Sequence, residues 1–550
     1  MLGLMQDWPL TVDRIIDHGA TWDGDRPVVA RGNDGSVVRS DYAAIRDRAR
    51  KLSAALAGIG IQPGDRVATM AWNNIRHLEA WFAIMGMGAV CHTLNPRLFA
   101  DQLRYIIGHA GDRAILVDPC FQIMLAGILN GMAWDGAVVI LGDEAEIDRD
   151  ALPGAVSVET LIASARESDA RWGGLDERAA CALCYTSGTT GNPKGVLYSH
   201  RSTVIHMLMT LQPDVFGIGI NDVAMPIVPM YHANAWGMPL STTAIGCRLV
   251  LPGARLDGAS LHELIESEGV TFSAAVPTVW QGLLHHLDTT GARLTSLKRV
   301  IIGGAALPES LIRRLRDHGV EAVQGWGMTE TSPIGTHGKL TPAIAALPLD
   351  AQMPQRLKQG RPPFGIELKI IDDAGIRLPH DGVTPGRLHV RGPTVAAGYM
   401  GERIGDILDA EGYFDTGDVA TIDGDGYMAI VDRAKDVIKS GGEWISSIEI
   451  ENIAIGHPKV AHCAVIGVPH PRWGERPLLV AALHPGESVG GEELLGFLDG
   501  RIARWWMPDA VAFIDEMPLG ATGKIDKKAL RARFAAPLQD IMERPLHHGA

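Results

Sequence analysis

The sequence predicts an α/β fold: a large N-terminal domain of mostly parallel sheets flanked by helices, followed by a small α+β C-terminal domain. Three observations predict it. The chain has 550 residues, several times the usual domain length. Short apolar strands alternate with amphipathic helices over its first several hundred positions, the pattern of a parallel sheet with crossover helices. The texture then changes near residue 430, where close turns give way to a hairpin, helix, strand, strand order.

In chain order, Tyr42 to Leu56 places apolar residues at helical spacing, Gly60 to Trp72 is a turn leading into a short strand, and Ile75 to Leu94 resumes a helical pattern. Ala114 to Val117 and Ala137 to Leu141 read as short buried strands, and the apolar run around Cys181 and Cys184 as another. Leu261 to Glu268, Val279 to Leu287 and Glu309 to Asp317 read as helices. Asp-Gly pairs between residues 422 and 427 punctuate a hairpin. The expected boundaries are 1–432 for the large domain, a polar hinge at 433–435, and 436–550 for the small domain.

Composition narrows the function classes. Hydrophobic residues are 46% and charged residues 21%, with mean hydropathy +0.07, which excludes a predominantly disordered or fibrous chain. A net charge of −14 argues against wrapping nucleic acid or an anionic membrane. Six cysteines are too sparse for a disulfide framework, and the lone Cys181-x-x-Cys184 lacks a second ligand pair, so core thiols are expected. The first residues lack a basic signal-peptide region, and the most apolar stretch, Ala80 to Cys91, is too short to span a bilayer as a helix. No integral membrane segment and a cytoplasmic location are the expectations. The pairs His285-His286 and His547-His548 lack metal-ligand spacing, and the final His-Gly-Ala is no peroxisomal address.

The strongest local signal is Tyr185-Thr-Ser-Gly-Thr-Thr-Gly-Asn-Pro-Lys-Gly195. Thr186, Ser187, Thr189 and Thr190 are small hydroxyl residues, and Gly188 and Gly191 let backbone N–H groups turn toward phosphate oxygens, while Lys194 adds a cation. It is a phosphate grip. It is not the G-x-x-x-x-G-K-[ST] loop, because Gly188 and Gly191 are too close and Gly195 follows the lysine.

Further strings follow in order: Tyr231 to Gly237, Gly303 to Leu307, Gly325 to Glu330, Tyr413 to Asp418, Asp432 to Asp436, and Gly523-Lys524. With the phosphate grip, these seven resemble the core motifs of the adenylate-forming superfamily, which contains acyl-CoA synthetases, peptide-synthetase adenylation domains and beetle luciferases. Ala71-Trp-Asn-Asn74, Cys91 to Phe99 and Lys439 to Ser446 look like medium- and long-chain fatty acyl-CoA synthetases and the related methylthiopropionate ligases. The resemblance covers nearly the whole chain. It implies a mobile C-terminal domain, ATP and CoA as cosubstrates, Mg²⁺ as cofactor, a small carboxylic acid as substrate and a homodimer.

The chemistry is consistent with it. A carboxylate must acquire a better leaving group before a thiol can attack; joining it to AMP at the expense of pyrophosphate does this, and the protein's share is positioning and charge stabilisation. By resemblance, Lys524 meets the carboxylate and α-phosphate during adenylation. Thr186 and Glu330 contact Mg²⁺, which prefers oxygen ligands. Asp418 accepts the ribose hydroxyls, and Arg433 holds the ribose or phosphate. Gly303, Gly304 and Ala305 lie against the adenine, and Gly325, Trp326, Gly327, Met328 and Thr329 complete the nucleotide wall. His232 and Trp236, with Val276, Pro277, Gly303, Trp326 and Pro333, line the acyl pocket. Peptide-synthetase domains resemble Phe-Asp-x-x-x-Trp where this chain has Tyr231-His232 and Ala235-Trp236, so no counter-ion for an α-ammonium is supplied. His232 is placed beside the carboxylate and the thiol path. Lys435 is the hinge, and Lys439, Ser440, Gly441, Gly442, Glu443 and Trp444 serve the thioester step.

The favoured substrate is an apolar, unbranched carboxylic acid of medium or long chain, and the runner-up is 3-methylthiopropionate. A luciferase-like oxygenase and a non-catalytic fatty-acid-binding protein stand outside that class. A mere binder has no use for Lys524, Glu330 and Asp418 together.

Overall fold

The computed structural model describes residues 1, 3–186, 192–434, 436–440, 443–520 and 525–535. These form four sheets. The largest runs Ile334–His337, Glu321–Gly327, Arg299–Ile302, Phe272–Ala275, Val223–Pro226, Arg248–Leu251, Pro27–Arg31, Val37–Asp41, parallel throughout except for the antiparallel strand at each edge. The second runs Val156–Ser157, Ala137–Ile140, Ala114–Val117, Arg66–Met70, Val90–Thr93, Ala180–Thr186, Lys194–Ser199, with one antiparallel pair at the end.

Strand periodicity explains how these sheets stack. Val28 and Ala30 face one way and Val29 the other; Val67 faces one way and Ala68 and Met70 the other. The inner faces share one core with the helices Tyr42–Gly58 and Ile75–Gly86 between them. Helices Gly258–Glu268, Pro277–Thr290 and Glu309–Asp317 cover the outer face of the first sheet, and Ala100–Ala110 and Gln122–Leu129 that of the second. The result is helix, sheet, helix, sheet, helix. Parallel strands covered on both faces read as continuous apolar runs.

That explains one difference from the sequence reading. The helix that starts at Ile75 ends at Gly86, and Val90–Thr93 is a central strand. Gly88, at φ +85°, turns the chain. Because residues 90–93 are buried on both sides, nothing in their apolarity marks the change of period. By contrast, the helix Glu309–Asp317 and the strand Ala114–Val117 match their expected bounds, and Cys181 and Cys184 are buried in the inner core, where burial pushes their thiols up to about 12 and about 11.

A third, antiparallel sheet (Glu367–Ile371, Gly386–Arg391, Phe414–Ile422, Met428–Arg433) packs on the first through Trp326. Its last residue, Arg433, still pairs with Asp418, and the expected hinge begins there. Beyond it the small unit holds the hairpin Ile438–Ser440 and Glu443–Ile445, the helix Ser447–Ala454, the long hairpin Val460–His470 and Gly474–Leu483, the parallel strand Ala510–Phe513 and the helix Lys527–Arg533. Among the described residues, no helix is long and apolar enough to cross a membrane.

One side chain stitches the two large sheets. Asn73, buried just past the strand Arg66–Met70, donates to the Pro226 and Val228 carbonyls at 2.9 Å each and accepts from the Met230 N–H at 2.7 Å. Asn73→Ala leaves these buried groups unpaired, so the unfolding free energy should fall by about 2–4 kcal/mol, read as a lower denaturant midpoint.

Candidate functional site

In the first sheet, the parallel strands end at one edge, and the loops beyond those ends carry the motifs, as open α/β sheets generally arrange them. Gly303 follows Arg299–Ile302, while Val276 caps and Pro277 opens the helix after Phe272–Ala275. Gly304 sits at φ +80° beside Ala305. A Cβ on Gly303 would meet the Gly325 carbonyl and the Trp236 indole at 3.0 Å each, so the glycine lets the ring lie on the strand. A Cβ on Gly327 would fall 1.6 Å from the Pro333 carbonyl oxygen, which only glycine allows.

Trp236 reaches that place through unusual backbone. Ala233, Asn234, Ala235 and Trp236 all have positive φ, 43° to 55°, and Gly237 follows at 73°. Left-handed helical turns cost roughly 1–2 kcal/mol per non-glycine residue, so the surroundings must hold this one. His232 begins it, donating its N–H to the Pro229 carbonyl at 3.0 Å and accepting from the Ala235 N–H at 3.2 Å. The Cys184 thiol donates to Asn234 Oδ1 at 3.2 Å. Trp236 is buried.

The phosphate motif joins the strands Ala180–Thr186 and Lys194–Ser199, whose ladder closes at Thr186 opposite Lys194. Ser187, Gly188, Thr189, Thr190 and Gly191 lie outside the described residues. Lys194 Nζ stands 4.5 Å from the centre of the Tyr399 ring, and the Tyr399 hydroxyl donates to Glu330 Oε1 at 2.9 Å. Burial raises the Glu330 carboxyl above its ordinary range, against the lowering effect of the Tyr399 hydrogen bond and of the Arg433 and Lys194 charges. Glu330 lies on the short turn Thr329–Thr331, pinned by the Tyr198 hydroxyl on the Thr329 carbonyl at 2.6 Å and the Ala396 N–H on the Glu330 carbonyl at 2.7 Å. Met328 donates its N–H to Thr331 Oγ1 at 2.9 Å.

Asp418 is 2% exposed and both its oxygens are engaged. The Trp326 indole N–H donates to Oδ2 at 2.9 Å, and Arg433 Nε lies 2.8 Å from Oδ1. The Trp326 ring packs with Ile370, Leu388 and Met428. Oxygen donors suited to magnesium are present in Glu330 and Thr186. Among the described residues, no group of three or more His, Cys, Asp or Glu stands ready to hold a metal alone; a metal here would share its coordination with nucleotide phosphates.

Lys435, Gly441, Gly442 and Lys524 lie outside the described residues, as do the side chains of Glu443 and Trp444. Lys439 and Ser440 form the hairpin strand opposite them, and Ser440 Oγ accepts from the buried Arg476 at 3.3 Å. The segment carrying Lys524 is closed at its base by a bridge between Leu519 and Ile525.

Comparison with known proteins shows the family. Residues 16–400 match the model of the AMP-binding enzyme family, and residues 449–524 that of its C-terminal domain. The chain belongs to the AMP-binding enzyme family. It is similar to the 3-methylmercaptopropionyl-CoA ligase of Ruegeria lacuscaerulensis, at 50% identity over 97% of this chain and 99% of that one. It is also similar to the medium-chain-fatty-acid–CoA ligase of Ectopseudomonas oleovorans, at 47% identity over 97% and 98%. Among solved structures, ATP-bound MatB from Rhodopseudomonas palustris matches with a TM-score of 0.79 and 26% identity, over 96% of this chain and 99% of that one.

Within this AMP-binding enzyme, sequence reasoning assigned no role to Tyr399 or Tyr198. The only signal was an aromatic after Gly398 in a loop, and its meaning depends on two distant segments meeting. Trp326 also acquires a partner that the motif did not announce. Trp326→Phe keeps an aromatic ring, smaller than the indole, but removes the donor to Asp418, a charge-assisted hydrogen bond; KM for ATP should rise about tenfold or more with the fold intact by circular dichroism.

Proposed function

We propose that the chain is an ATP-dependent acyl-CoA ligase. A carboxylate oxygen attacks the α-phosphorus of ATP, the bond to the β-phosphate oxygen breaks, and acyl-AMP and pyrophosphate form. The CoA thiolate then attacks the acyl carbonyl, and AMP leaves as the thioester forms. The observation that carries this reading is the convergence from three sheets of the Asp418–Arg433 pair bonded to Trp326, the buried Glu330 held by Tyr399 under the Arg433 and Lys194 charges, and the Trp236 ring on Gly303.

In this reading Asp418 accepts from the ribose hydroxyls and Arg433 adds a cation beside it. Glu330 and Thr186 would hold a magnesium ion, which would supply charge neutralisation to the phosphates when bound. Tyr399 keeps Glu330 oriented. Lys524 balances the charge that grows on the α-phosphate, and the small domain turns about Lys435 to bring Lys439, Ser440, Gly441 and Gly442 inward for thiolysis, with Glu443 and Trp444 beside them. Domain boundaries at 1–432 and 436–550, a cytoplasmic location and a homodimer belong to the same reading.

The substrate is an apolar, unbranched carboxylic acid of medium or long chain. A second reading, a short thioether acid such as 3-methylmercaptopropionate, is favoured by one observation: the chain is 50% identical to a 3-methylmercaptopropionyl-CoA ligase; in that reading the Trp236 ring on Gly303 would stop the acyl chain. A carboxylate panel with ATP, Mg²⁺ and CoA, reading AMP release against chain length, decides between them, and no AMP release with any acid overturns the ligase reading.

Two substitutions test the roles. Lys524→Ala should lower acyl-AMP formation by about two to three orders of magnitude, the size of a lost oxyanion donor, while supplied acyl-AMP is still converted with CoA; equal loss in both half-reactions refutes the role. Trp236→Ala should raise kcat/KM for long acids relative to short ones by about tenfold or more, from ~1–3 kcal/mol per apolar contact. An unchanged chain-length profile makes Trp236 core packing.

A further inference from the structure

The helix Lys527–Arg533 presents two cations to the hinge segment. Lys527 and Arg531 are four residues apart and share a face. Arg531 Nη2 lies 2.6 Å from Asp436 Oδ1. Lys527 Nζ lies 2.8 Å from Glu451 Oε1 and donates to Ser447 Oγ at 2.5 Å. Ser447 in turn donates its hydroxyl and, at 3.1 Å, its N–H to Asp432 Oδ2. Asp432 and Asp436 flank Lys435 in the sequence, so one helix face is tied to both sides of the hinge.

The same helix follows directly on Lys524. Asp526 caps it, accepting from the Lys528 and Ala529 N–H groups at 3.0 and 3.1 Å, and the Asp526 N–H donates to the Pro518 carbonyl at 2.8 Å. Leu530 seats it on the small domain's apolar core. Burial pulls the Lys527 ammonium down, but Glu451, Asp432 and Asp436 outweigh it and hold the group above its ordinary range. Without that cation, Glu451 and Asp432 would face each other across Ser447 as two carboxylates, and like charges close together in a poorly solvated place repel strongly.

We propose that Lys527 is a positioning residue for adenylation: through Glu451, and through Ser447 to Asp432, it fixes the segment that carries Lys524 against the strand end where the hinge begins. The inference rests on the ligase reading above. A cation that must meet an α-phosphate needs its backbone held to about an ångström, since misplacement by that much costs up to about a hundredfold. Thiolysis of a preformed acyl-AMP makes no such demand on Lys524, so the anchor should matter to one half-reaction only.

The test uses the full chain with Lys527→Met, Lys527→Arg and Glu451→Gln, and reads three quantities. These are single-turnover acyl-AMP formation, thioester formation from supplied acyl-AMP and CoA, and hydrogen exchange of the segment 518–530. Lys527→Met should lose about ten- to a hundredfold in acyl-AMP formation and change thioester formation little. Glu451→Gln should show the same split, Lys527→Arg should restore most of the adenylation rate, and exchange should quicken in Lys527→Met and Glu451→Gln but not in Lys527→Arg. Wild-type adenylation in Lys527→Met, or equal loss in both half-reactions, overturns the proposal. If Lys527→Met does not fold, Glu451→Gln carries the same decision. If the unmodified enzyme makes no acyl-AMP, the ligase reading has failed, and the exchange measurement alone decides whether Lys527 anchors the segment: unchanged exchange overturns it.

Discussion

A buried carboxylate loses several kcal/mol of hydration unless hydrogen-bond donors and cations replace the water, and Asp418 is where this chain meets that demand. Its two oxygens take the Trp326 indole N–H and the Arg433 guanidinium. Trp326 belongs to the large mixed sheet, and Asp418 and Arg433 are opposite partners in the antiparallel one. One side chain's need for partners therefore fixes how two sheets sit against each other. Since the chain leaves for the small domain directly after Arg433, the same pair also sets the point of departure of the small domain.

The architecture was readable in the sequence wherever a helix had one wet face. Glu309–Asp317 alternates Leu311, Ile312 and Leu315 with arginines, and its limits follow from that. Residues 75–94 were not readable in the same way, because the helix and the following strand are both buried on nearly all sides and neither period survives. The site divides along similar lines. Asp418, Glu330, Lys194 and Arg433 were legible because charged residues in fixed strings resemble a family. Tyr399 was not: its role comes from standing between Lys194 and Glu330, which are 136 positions apart in the numbering, and no local pattern encodes that meeting. The Lys527–Glu451–Ser447–Asp432 chain was hidden for the same reason, as four ordinary polar residues on three elements.

The turn from Ala233 to Gly237 was the least legible feature. Ala-Asn-Ala-Trp-Gly contains two residues, the asparagine and the glycine, suited to positive φ, yet five in a row adopt it. The strain must be repaid by packing, and the partners are visible: buried Ala233 and Ala235 in the inner core, Asn234 on the Cys184 thiol, and the indole on Gly303. Strained backbone of this kind persists where neighbours over-determine it, commonly at functional sites. Here it converts a surface-loop motif into a wall of the expected acyl pocket.

That wall bears on the choice between a long-chain acid and a short thioether acid. A right-handed turn over the same five residues would carry the indole elsewhere, so the position of Trp236 depends on a backbone state that is costly by itself. If the left-handed turn relaxed, the strain released would help offset the lost contact between the indole and Gly303. Conversely, an acid short enough to stop at the ring would leave both strain and contact as they are. The four non-glycine residues cost roughly 4–8 kcal/mol together, more than the about 0.5–1.5 kcal/mol that one aromatic contact returns, so the packing of Ala233 and Ala235 and the hydrogen bond from Cys184 to Asn234 must hold the turn as well.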